Sequence, residues 1–487
     1  MRKIVILYDD VEDVSSDIHS FFKVKSYGTI FYKGKTLKEF IIQTFQESGV
    51  DEVIVLSERN DYQAAAHKVH YTKEQHRKNI YIYLKSHIVF EDLSAFRLLI
   101  EKLSLLDDDV SVNVKGDTYS FMRFNADTCI SFLTNDHEDK KFNAYECEIL
   151  NNENFLLDIS YYGDFIQFLH TNFEVRYFNK IIDKEDYLLK TSHNKDKIKQ
   201  EYRYFQLVQD DLKMFFPSVF NYTEEATSAS YCIEKVNVPD MAVQYVSNTL
   251  SESEFSFFLK KVSYFLDKSP KVVVSLDEYT QEIEQQYKYK VEQRYQSLKN
   301  NIPLSDTLNQ FIQAGTKYDS LEAVYDFYFK NLKKKLQHVK PHLHKTFCHG
   351  DLCFSNILYD KRTHNIKFID PKGVEENHNG YKDPYYDLVK LSHSILGYYD
   401  FINYGMFDIG VGKKMELCLS INVIAQNLQM HQKAFYALVE NLNLDLALLR
   451  VLEASLFLSM LPLHADNEQK VLAFLLRGIQ ILEEYGE

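Results

Sequence analysis

Two rhythms of apolar and polar positions divide the chain. In the first, short apolar runs at residues 3–8, 52–56, 79–84 and 109–114 alternate with helical spacing, notably over 36–48 and 90–106. Alternation of strand and helix predicts an α/β domain built on a parallel sheet over residues 1–135. Residues 136–170 read as a polar connector with a short strand or two. The second rhythm starts with strand-like runs at 173–178 and 186–191, joined by 179–185. A helical stripe of Ile198, Tyr202, Phe205 and Val208 follows within 195–210. Further strand-like runs lie at 216–222 and 230–236. Residues 276–299 read as an amphipathic helix with a charged, solvated face, and 321–339 as another helix. From Tyr385 onward nearly all of the pattern is helical, with apolar stripes through 415–442 and 444–482.

One segment carries recognisable chemistry. His349-Gly350-Asp351-Leu352-Cys353-Phe354-Ser355-Asn356 is followed by Phe368-Ile369-Asp370. Residues 346–348 run apolar into the motif. Residues 356–359 and 366–369 read as two short strands around a polar turn at 360–365. A hairpin of that length sets its open ends side by side, so Asn356 and Asp370 are expected to converge. Asp351 can accept a proton from an attacking hydroxyl. Asn356 and Asp370 supply oxygen ligands for a magnesium ion that also takes phosphate oxygens. This set fits phosphoryl transfer from a metal nucleotide, where catalysis is mostly positioning and electrostatics. A lone His-Gly-Asp is a common turn; the longer spacing inside strand–turn–strand is what makes the pattern specific.

Residues 349–373 resemble the catalytic segment of the aminoglycoside phosphotransferase and choline kinase superfamily, whose members are kinase-fold enzymes acting on small molecules. The resemblance implies Asp351 as the catalytic-loop aspartate and Asn356 and Asp370 as metal ligands. Asp383-Pro384-Tyr385-Tyr386-Asp387-Leu388 is similar to a downstream family segment in which the second aspartate, here Asp387, braces the catalytic loop. Pro371-Lys372-Gly373 stands where protein kinases have Phe-Gly, which argues against a regulated activation loop. A kinase fold also needs a lysine for the nucleotide phosphates and a helical glutamate to hold it. Lys190, at the end of a strand, and Glu201, on the following helix, are the candidates. Backbone groups near Glu234 and Val236 would meet the adenine edge. No glycine occurs between residues 171 and 190, so the usual Gly-rich loop is missing. The implied architecture is an α+β bilobal protein-kinase-like domain with an N-lobe at 165–265 and a helical C-lobe at 266–487, using ATP and Mg2+. The basic residues Lys288, Lys290 and Arg294 could reach an anionic acceptor bound among the C-lobe helices.

The N-terminal third bears a second resemblance. Gly34-Lys35-Thr36-Leu37 and Ser48-Gly49-Val50-Asp51-Glu52-Val53 resemble the start of sugar-nucleotide pyrophosphorylases and related nucleotidyltransferases. That family carries a Gly-rich, Arg-containing loop after its first strand. Here residues 8–14 are Tyr-Asp-Asp-Val-Glu-Asp-Val, acidic and free of glycine. Such a loop repels phosphates, which bind where backbone N–H groups converge. The family's metal-holding aspartate is replaced by Lys85-Ser86-His87. The expectation is therefore a degenerate nucleotidyltransferase-like domain over 1–135, followed by a connector at 136–164. His67, His70 and His76 have spacing that fits no standard metal site.

Composition narrows the picture. The chain has 487 residues, 45% apolar and 26% charged, so it is globular. A net charge of −14 speaks against a general nucleic-acid surface. The 35 Tyr and 35 Phe are mostly core by default. Cysteines 129, 147, 232, 348, 353 and 418 contain no C-x-x-C pair, so neither zinc nor a disulfide framework is implied. The apolar start is too short for a signal peptide, and no uninterrupted apolar run reaches the ~18 residues of a membrane span. A cytoplasmic location is the expectation. The leading function is an ATP- and magnesium-dependent phosphotransferase acting on a sugar, sugar phosphate or polyol hydroxyl. By analogy of domain pairing it would serve bacterial capsule or surface polysaccharide synthesis. The alternatives are a pseudokinase scaffold that binds nucleotide in the same pathway, and a nucleotidyltransferase using the N-terminal domain.

Overall fold

In the computed structural model the chain divides into two compact units, Met1–Glu174 and Val175–Glu487. The structure describes residues 3–32, 35–75, 79–90, 93–134, 148–151, 156–170, 180–184, 186–375, 380–423 and 427–486. Gly34, His76, Cys147, most of the connector at 136–164 and the strand expected at 173–178 lie outside the described residues.

The N-terminal unit is a six-stranded sheet with helices between its strands. Its strands are β1 (Ile4–Asp9), β2 (Glu52–Leu56), β3 (Ile80–Lys85), β4 (Val110–Asn113), β5 (Phe121–Phe124) and β6 (Glu148–Asn151), in the order β2-β1-β3-β5-β4-β6. The helices are α1 (Ser16–Phe22), α2 (Leu37–Glu47), α3 (Arg59–Gln75), α4 (Leu93–Leu105), α5 (Ala126–Thr134) and α6 (Tyr162–His170). Thr36 starts α2 with a capping box: its hydroxyl accepts the Glu39 N–H at 3.3 Å, and the Glu39 carboxylate accepts the Thr36 N–H at 2.8 Å. One face of the sheet buries Leu7, Leu56, Tyr83 and Phe124 against Val69 of α3 and Phe132 of α5.

The all-parallel expectation is corrected. Strands β2, β1 and β3 are parallel, but β5 runs antiparallel to both β3 and β4. The chain leaves β4 through Lys115 and Gly116, both at positive φ, and doubles back at once, with no room for the long crossover that a parallel neighbour requires. Strand β5 itself, Phe-Met-Arg-Phe, was not expected, because four fully buried positions show no alternation.

The C-terminal unit opens with a four-stranded antiparallel sheet. Its strands β7 (Lys180–Asp183), β8 (Tyr187–Ser192), β9 (Val219–Glu224) and β10 (Ala229–Glu234) lie in the order β7-β8-β10-β9. Helix α7 (Lys195–Leu207) covers β8, β9 and β10, and the Asn194 side chain caps its start on Lys197 N at 3.1 Å. Residues 180–183, expected as a linker, are a strand: Ile181 and Ile182 pair with Lys190 and Leu189. Two adjacent β-branched residues favour that pleated surface over a turn.

The rest is mainly helical. It runs through α8 (Met241–Val246), α9 (Glu252–Lys268), β11 (Lys271–Val273) and α10 (Leu276–Glu284). A single π turn at Gln285–Tyr289 leads into α11 (Lys290–Asn300), followed by α12 (Ile302–Gly315), α13 (Leu321–His338) and β12 (His344–Phe347). The hairpin β13 (Ile357–Asp360) and β14 (Asn365–Phe368) comes next, then β15 (Tyr381–Lys382), α14 (Tyr386–Ile395) and α15 (Tyr399–Asn403). A second hairpin, β16 (Phe407–Val411) and β17 (Leu417–Ile421), corrects the expectation of unbroken helix after Tyr385. Gly412 and the left-handed Met415 lie in its turn, and Leu417-Cys-Leu-Ser-Ile alternates as a strand. The unit closes with α16 (Leu428–Asn441), α17 (Leu446–Met460) and α18 (Glu468–Tyr485). Every side chain of α17 from Leu448 to Ser459 is buried, as in a helix that is apolar on all sides and central to a core. Residues Leu446–His464 are long and apolar enough to cross a membrane by length and composition, yet 78% of that window is buried within the fold. Arg450 and Glu453 form an ion pair inside it.

Candidate active site

The site is assembled where the ends of β8, β12 and the β13–β14 hairpin meet. Lys190 is 1% exposed on β8, and its Nζ lies 2.6 Å from Glu201 Oε2 on α7 and 2.8 Å from Asp370 Oδ1 just beyond β14. The Tyr231 hydroxyl on β10 also donates to Glu201, at 3.2 Å. Burial works against the Lys190 charge, but Asp370 and Glu201 outweigh it, and the pKa lies above the ordinary lysine value. Lys190 and Glu201, expected as a pair, are therefore brought together, and Asp370 joins them.

The hairpin does what its length implied. Ile357 pairs with Phe368, and Ile369 N donates to Asn356 O at 2.9 Å, so Asn356 and Asp370 emerge side by side. Asn356 Nδ2 donates to Asp351 O at 2.8 Å and to Asp351 Oδ2 at 3.3 Å. This fixes the amide orientation and turns its Oδ1 away from the loop. Asp370 adopts a left-handed φ of 53°, which swings its carboxylate back toward Lys190.

The loop is held from beneath by Asp387 at the start of α14. Its two oxygens accept the N–H groups of His349 and Gly350 at 2.7 and 2.8 Å. Burial pushes the Asp387 carboxyl up to about 6 in spite of those two bonds. Gly350 has φ +84°, and a Cβ there would meet the Lys372 Cβ at 2.6 Å, so both conformation and space require glycine. The His349 ring spans the loop: Nδ1 accepts the Asp351 N–H at 3.3 Å and Nε2 donates to Ile369 O at 3.0 Å. Burial lowers its pKa to about 4, so the ring is neutral and joins the two halves of the motif.

Beyond Asp370 the chain docks on α7. Val374 N donates to Gln200 O at 3.1 Å, and a Cβ on Gly373 would fall 2.6 Å from the Gln200 backbone carbon. Cys348 and Cys353, on either side of the loop, are buried free thiols. Burial pushes the Cys353 thiol up to about 12 and Cys348 well above the ordinary thiol value, so neither is a ready thiolate.

Three lysines, Lys390, Lys372 and Lys290, gather around Asp351, with Arg294 beside Lys290. Lys390 Nζ on α14 lies 2.8 Å from Asp351 Oδ1, a contact that pattern reading missed. Its only sequence signal is its position three residues after Asp387, on the same helix face. Lys372 packs its stem on Gly350 and holds its Nζ over the Tyr386 ring at 5.6 Å. Lys290 and Arg294 both come from α11, directly after the π turn. Burial, then the charges of Lys390 and Lys372, bring the Lys290 pKa down to about 7. Lys288 does not join them: it pairs with Glu284 at 3.5 Å and lies over the Tyr289 ring.

Glu234 and Val236 sit apart from this cluster. The Glu234 carboxylate accepts the Ser218 N–H at 2.8 Å, tying β10 to the chain before β9. Glu234, Val236, Val238 and Leu358 help line a cavity of about 360 Å³ that includes none of Lys190, Asp351, Asn356 and Asp370. The Val236 N–H makes no hydrogen bond among the described residues, while its carbonyl accepts Val238 N at 3.0 Å.

No family model and no curated protein matches the chain. Among solved structures it is similar to a thermostable mutant of an aminoglycoside phosphotransferase in a ternary complex with AMP-PNP and hygromycin B. The identity is 12% and the TM-score 0.35, covering 65% of this chain and 97% of that one. A choline/ethanolamine kinase family protein from Mesorhizobium loti is 13% identical with a TM-score of 0.33, covering 63% of this chain and 85% of that one. A glucosamine kinase in complex with glucosamine, ADP and inorganic phosphate is 9% identical with a TM-score of 0.36, covering 63% and 75%. Likenesses this distant carry no weight for activity or substrate, which rest on the residues themselves.

The acidic loop of the N-terminal unit is arranged differently. The hydroxyls of Tyr62 and Tyr83 both donate to Asp9 Oδ2, and Val11 N reaches Oδ1 at 3.2 Å. Asp10 accepts Gly28 N at 2.8 Å and Ser26 Oγ at 3.0 Å. Glu12 meets His87 at 3.2 Å and Lys85 at 3.6 Å, and its hydrogen bond to His87, then the Lys85 charge, holds its carboxyl below the usual range in spite of burial. His67 and His70 are exposed on α3, and no metal-binding group of His, Cys, Asp and Glu occurs among the described residues.

Proposed function

We propose that the C-terminal unit transfers the terminal phosphate of ATP to a hydroxyl of a small molecule. The observation that carries this reading is Lys190, buried between Glu201 and Asp370 at 2.6 and 2.8 Å, with Asp370 beside Asn356 and Asn356 bonded to Asp351. A buried cation held by two carboxylates is a costly arrangement that a hydrophobic core does not need. It suits a group that must meet phosphate oxygens.

The donor set fits magnesium. Asp370 Oδ2 and Asn356 Oδ1 have no partner among the described residues and are hard oxygen donors. They would hold the ion, which would neutralise charge on the transferred group. Lys190 steadies the nucleotide phosphates. The acceptor oxygen attacks the terminal phosphorus as Asp351 takes its proton. The bond from that phosphorus to the bridging oxygen breaks, and the nucleoside diphosphate leaves with the bonding pair. Lys390 and Asn356 fix the Asp351 carboxylate, and Asp387 and His349 fix the loop that carries it. The Val236 N–H and the Glu234 carbonyl are the backbone groups for an adenine edge. In line with the resemblance of the two parts of the chain, the acceptor is read as a sugar, sugar phosphate or polyol of surface polysaccharide synthesis. The N-terminal unit is read as a nucleotidyltransferase-like frame without that chemistry.

The test is Asp351→Asn in the full chain. Turnover should fall by about 10²–10⁴-fold, the usual worth of a positioned general base, while nucleotide affinity stays within about threefold. Unchanged turnover would refute the assignment. One feature favours a nucleotide-binding scaffold instead, namely the glycine-free stretch at residues 171–190. Nucleotide binding without magnesium-dependent ATP consumption, across sugars and amino alcohols, would select that reading.

A further inference from the structure

The cations around Asp351 outnumber the carboxylates available to them. Lys390 is matched by Asp351 at 2.8 Å. Lys382 is matched by Glu282 at 3.4 Å, which also holds Lys345 at 3.1 Å. Lys290, Lys372 and Arg294 have no ion pair with any described carboxylate. They come from separate stretches: Lys290 and Arg294 from the helix that starts at the π turn, and Lys372 from the segment behind Asp370. Lys372 is exposed, and Lys290 and Arg294 are half-buried, so the group can be reached from solvent.

The π turn is the second observation. The helix over 276–300 is regular except at Gln285–Tyr289, directly before Lys290. Tyr287 inside it is buried, and its hydroxyl donates to Asp383 at 3.4 Å. A π turn adds a residue to the helix and rotates everything after it, and such turns recur where side chains must be re-aimed. Here it brings Lys290 into the field of Lys390, Lys372 and Asp351, and the resulting repulsion is part of what lowers its pKa. A fold with no use for an anion would turn these stems outward, as Lys288 does.

We propose that the acceptor is itself an anion, a hydroxyl compound bearing a phosphate ester or carboxylate, and that Lys290, Lys372 and Arg294 grip that group while Asp351 faces the reacting hydroxyl. This rests on the phosphotransferase reading and narrows it, setting neutral and amino-bearing sugars aside. Lys290 and Arg294 are positioned for the acceptor's anionic group and not for the adenine end, which belongs to the β10 side of the unit. The chemistry is the transfer already described; the product carries one more phosphate than the acceptor did.

The experiment is an acceptor screen on the full-length chain with ATP and magnesium, read by mass spectrometry. It uses matched sets of neutral sugars and polyols, amino sugars, sugar phosphates and sugar acids. Transfer to sugar phosphates or sugar acids should exceed transfer to the matched neutral compounds by at least about 100-fold in kcat/KM, the scale of one or two charge-assisted contacts. The two anionic sets separate phosphate from carboxylate. Comparable or better use of neutral or amino sugars would overturn the inference and leave the phosphotransferase reading standing. Transfer to none of the sets, with nucleotide still bound, would overturn both. In Lys290→Gln and Arg294→Gln, the KM for the preferred anionic acceptor should rise about tenfold or more with kcat nearly kept. A rise confined to the KM for ATP would overturn the assignment, as would an equal loss with neutral acceptors.

Discussion

Carboxylates crowd at strand ends in both units, and the two places differ in what they do with them. At the end of β1, Asp9, Asp10 and Glu12 are all answered from within the chain, by Tyr62 and Tyr83, by Gly28 and Ser26, and by His87 and Lys85. After β12 and β14, Asp351 is held by Lys390 and Asn356, while Asn356 and Asp370 are each held on one side only among the described residues. Asn356 Oδ1 and Asp370 Oδ2 have no partner among the described residues, and three nearby cations lack a described counter-ion. Internal partners make acids structural; unanswered donors and cations mark a place that expects a ligand. In the N-terminal loop the carboxylates of Asp9, Asp10 and Glu12 are already in use within the unit.

Each half of that contrast can be broken separately. The largest effect is expected at Asp370→Asn, which removes one charge from the Lys190 pair and a carboxylate proposed to hold magnesium. Its kcat/KM should fall by about 10³-fold in steady-state assays, the scale of one lost electrostatic stabiliser of the transition state. Next is the pH dependence of the acceptor KM. Lys290 is protonated below its value of about 7 and loses its charge above it. The groups that set this are Lys390 on α14, Lys372 after Asp370, Asp351 on the loop and Arg294 on its own helix. A phosphate ester is already close to dianionic above pH ~6, so its own charge hardly changes there. The KM for an anionic acceptor should therefore rise with pH above 7, by up to about tenfold per unit, and Lys290→Gln should abolish that slope. A smaller loss is expected for Gly350→Ala. A left-handed alanine costs roughly 1–2 kcal/mol and would press on Lys372, so kcat should drop by about tenfold, with a modestly lower melting temperature by calorimetry. Smallest for turnover is Asp9→Ala. It removes the acceptor shared by two buried tyrosine hydroxyls, which are also hydrogen-bonded to each other, a loss of about 1–3 kcal/mol, so unfolding of the N-terminal unit should begin several degrees lower in calorimetry while phosphate transfer is kept. Loss of transfer in that variant would erase the distinction between the two acidic sites.

The motif was legible because it is local. Spacing within one hairpin carried Asp351, Asn356 and Asp370, and one strand and the next helix carried Lys190 and Glu201. Strand β2 was read to the residue, since Glu52-Val-Ile-Val-Leu is bounded by turn signals. What stayed hidden depends on distant partners. Phe121–Phe124 is a strand only because two neighbours flank it. The β16–β17 hairpin shares its leucines with the helical stripe around it, and only its glycines betray it. Lys390 lies 39 positions beyond Asp351, and nothing in spacing links a helix lysine to a loop aspartate. The π turn has no composition of its own, so the aim of Lys290 could be read only from the folded chain.

The most direct measurement is the fate of the terminal phosphate. The full-length protein should be given ATP labelled at that phosphate, magnesium and the sugar phosphate and sugar acid sets, with products followed by phosphorus NMR. The account predicts label on an acceptor oxygen in wild type and almost none in Asp351→Asn, with nucleotide binding alike in both. Label that stays on ATP or passes only to water in the wild-type protein, or transfer that survives in Asp351→Asn, would contradict it.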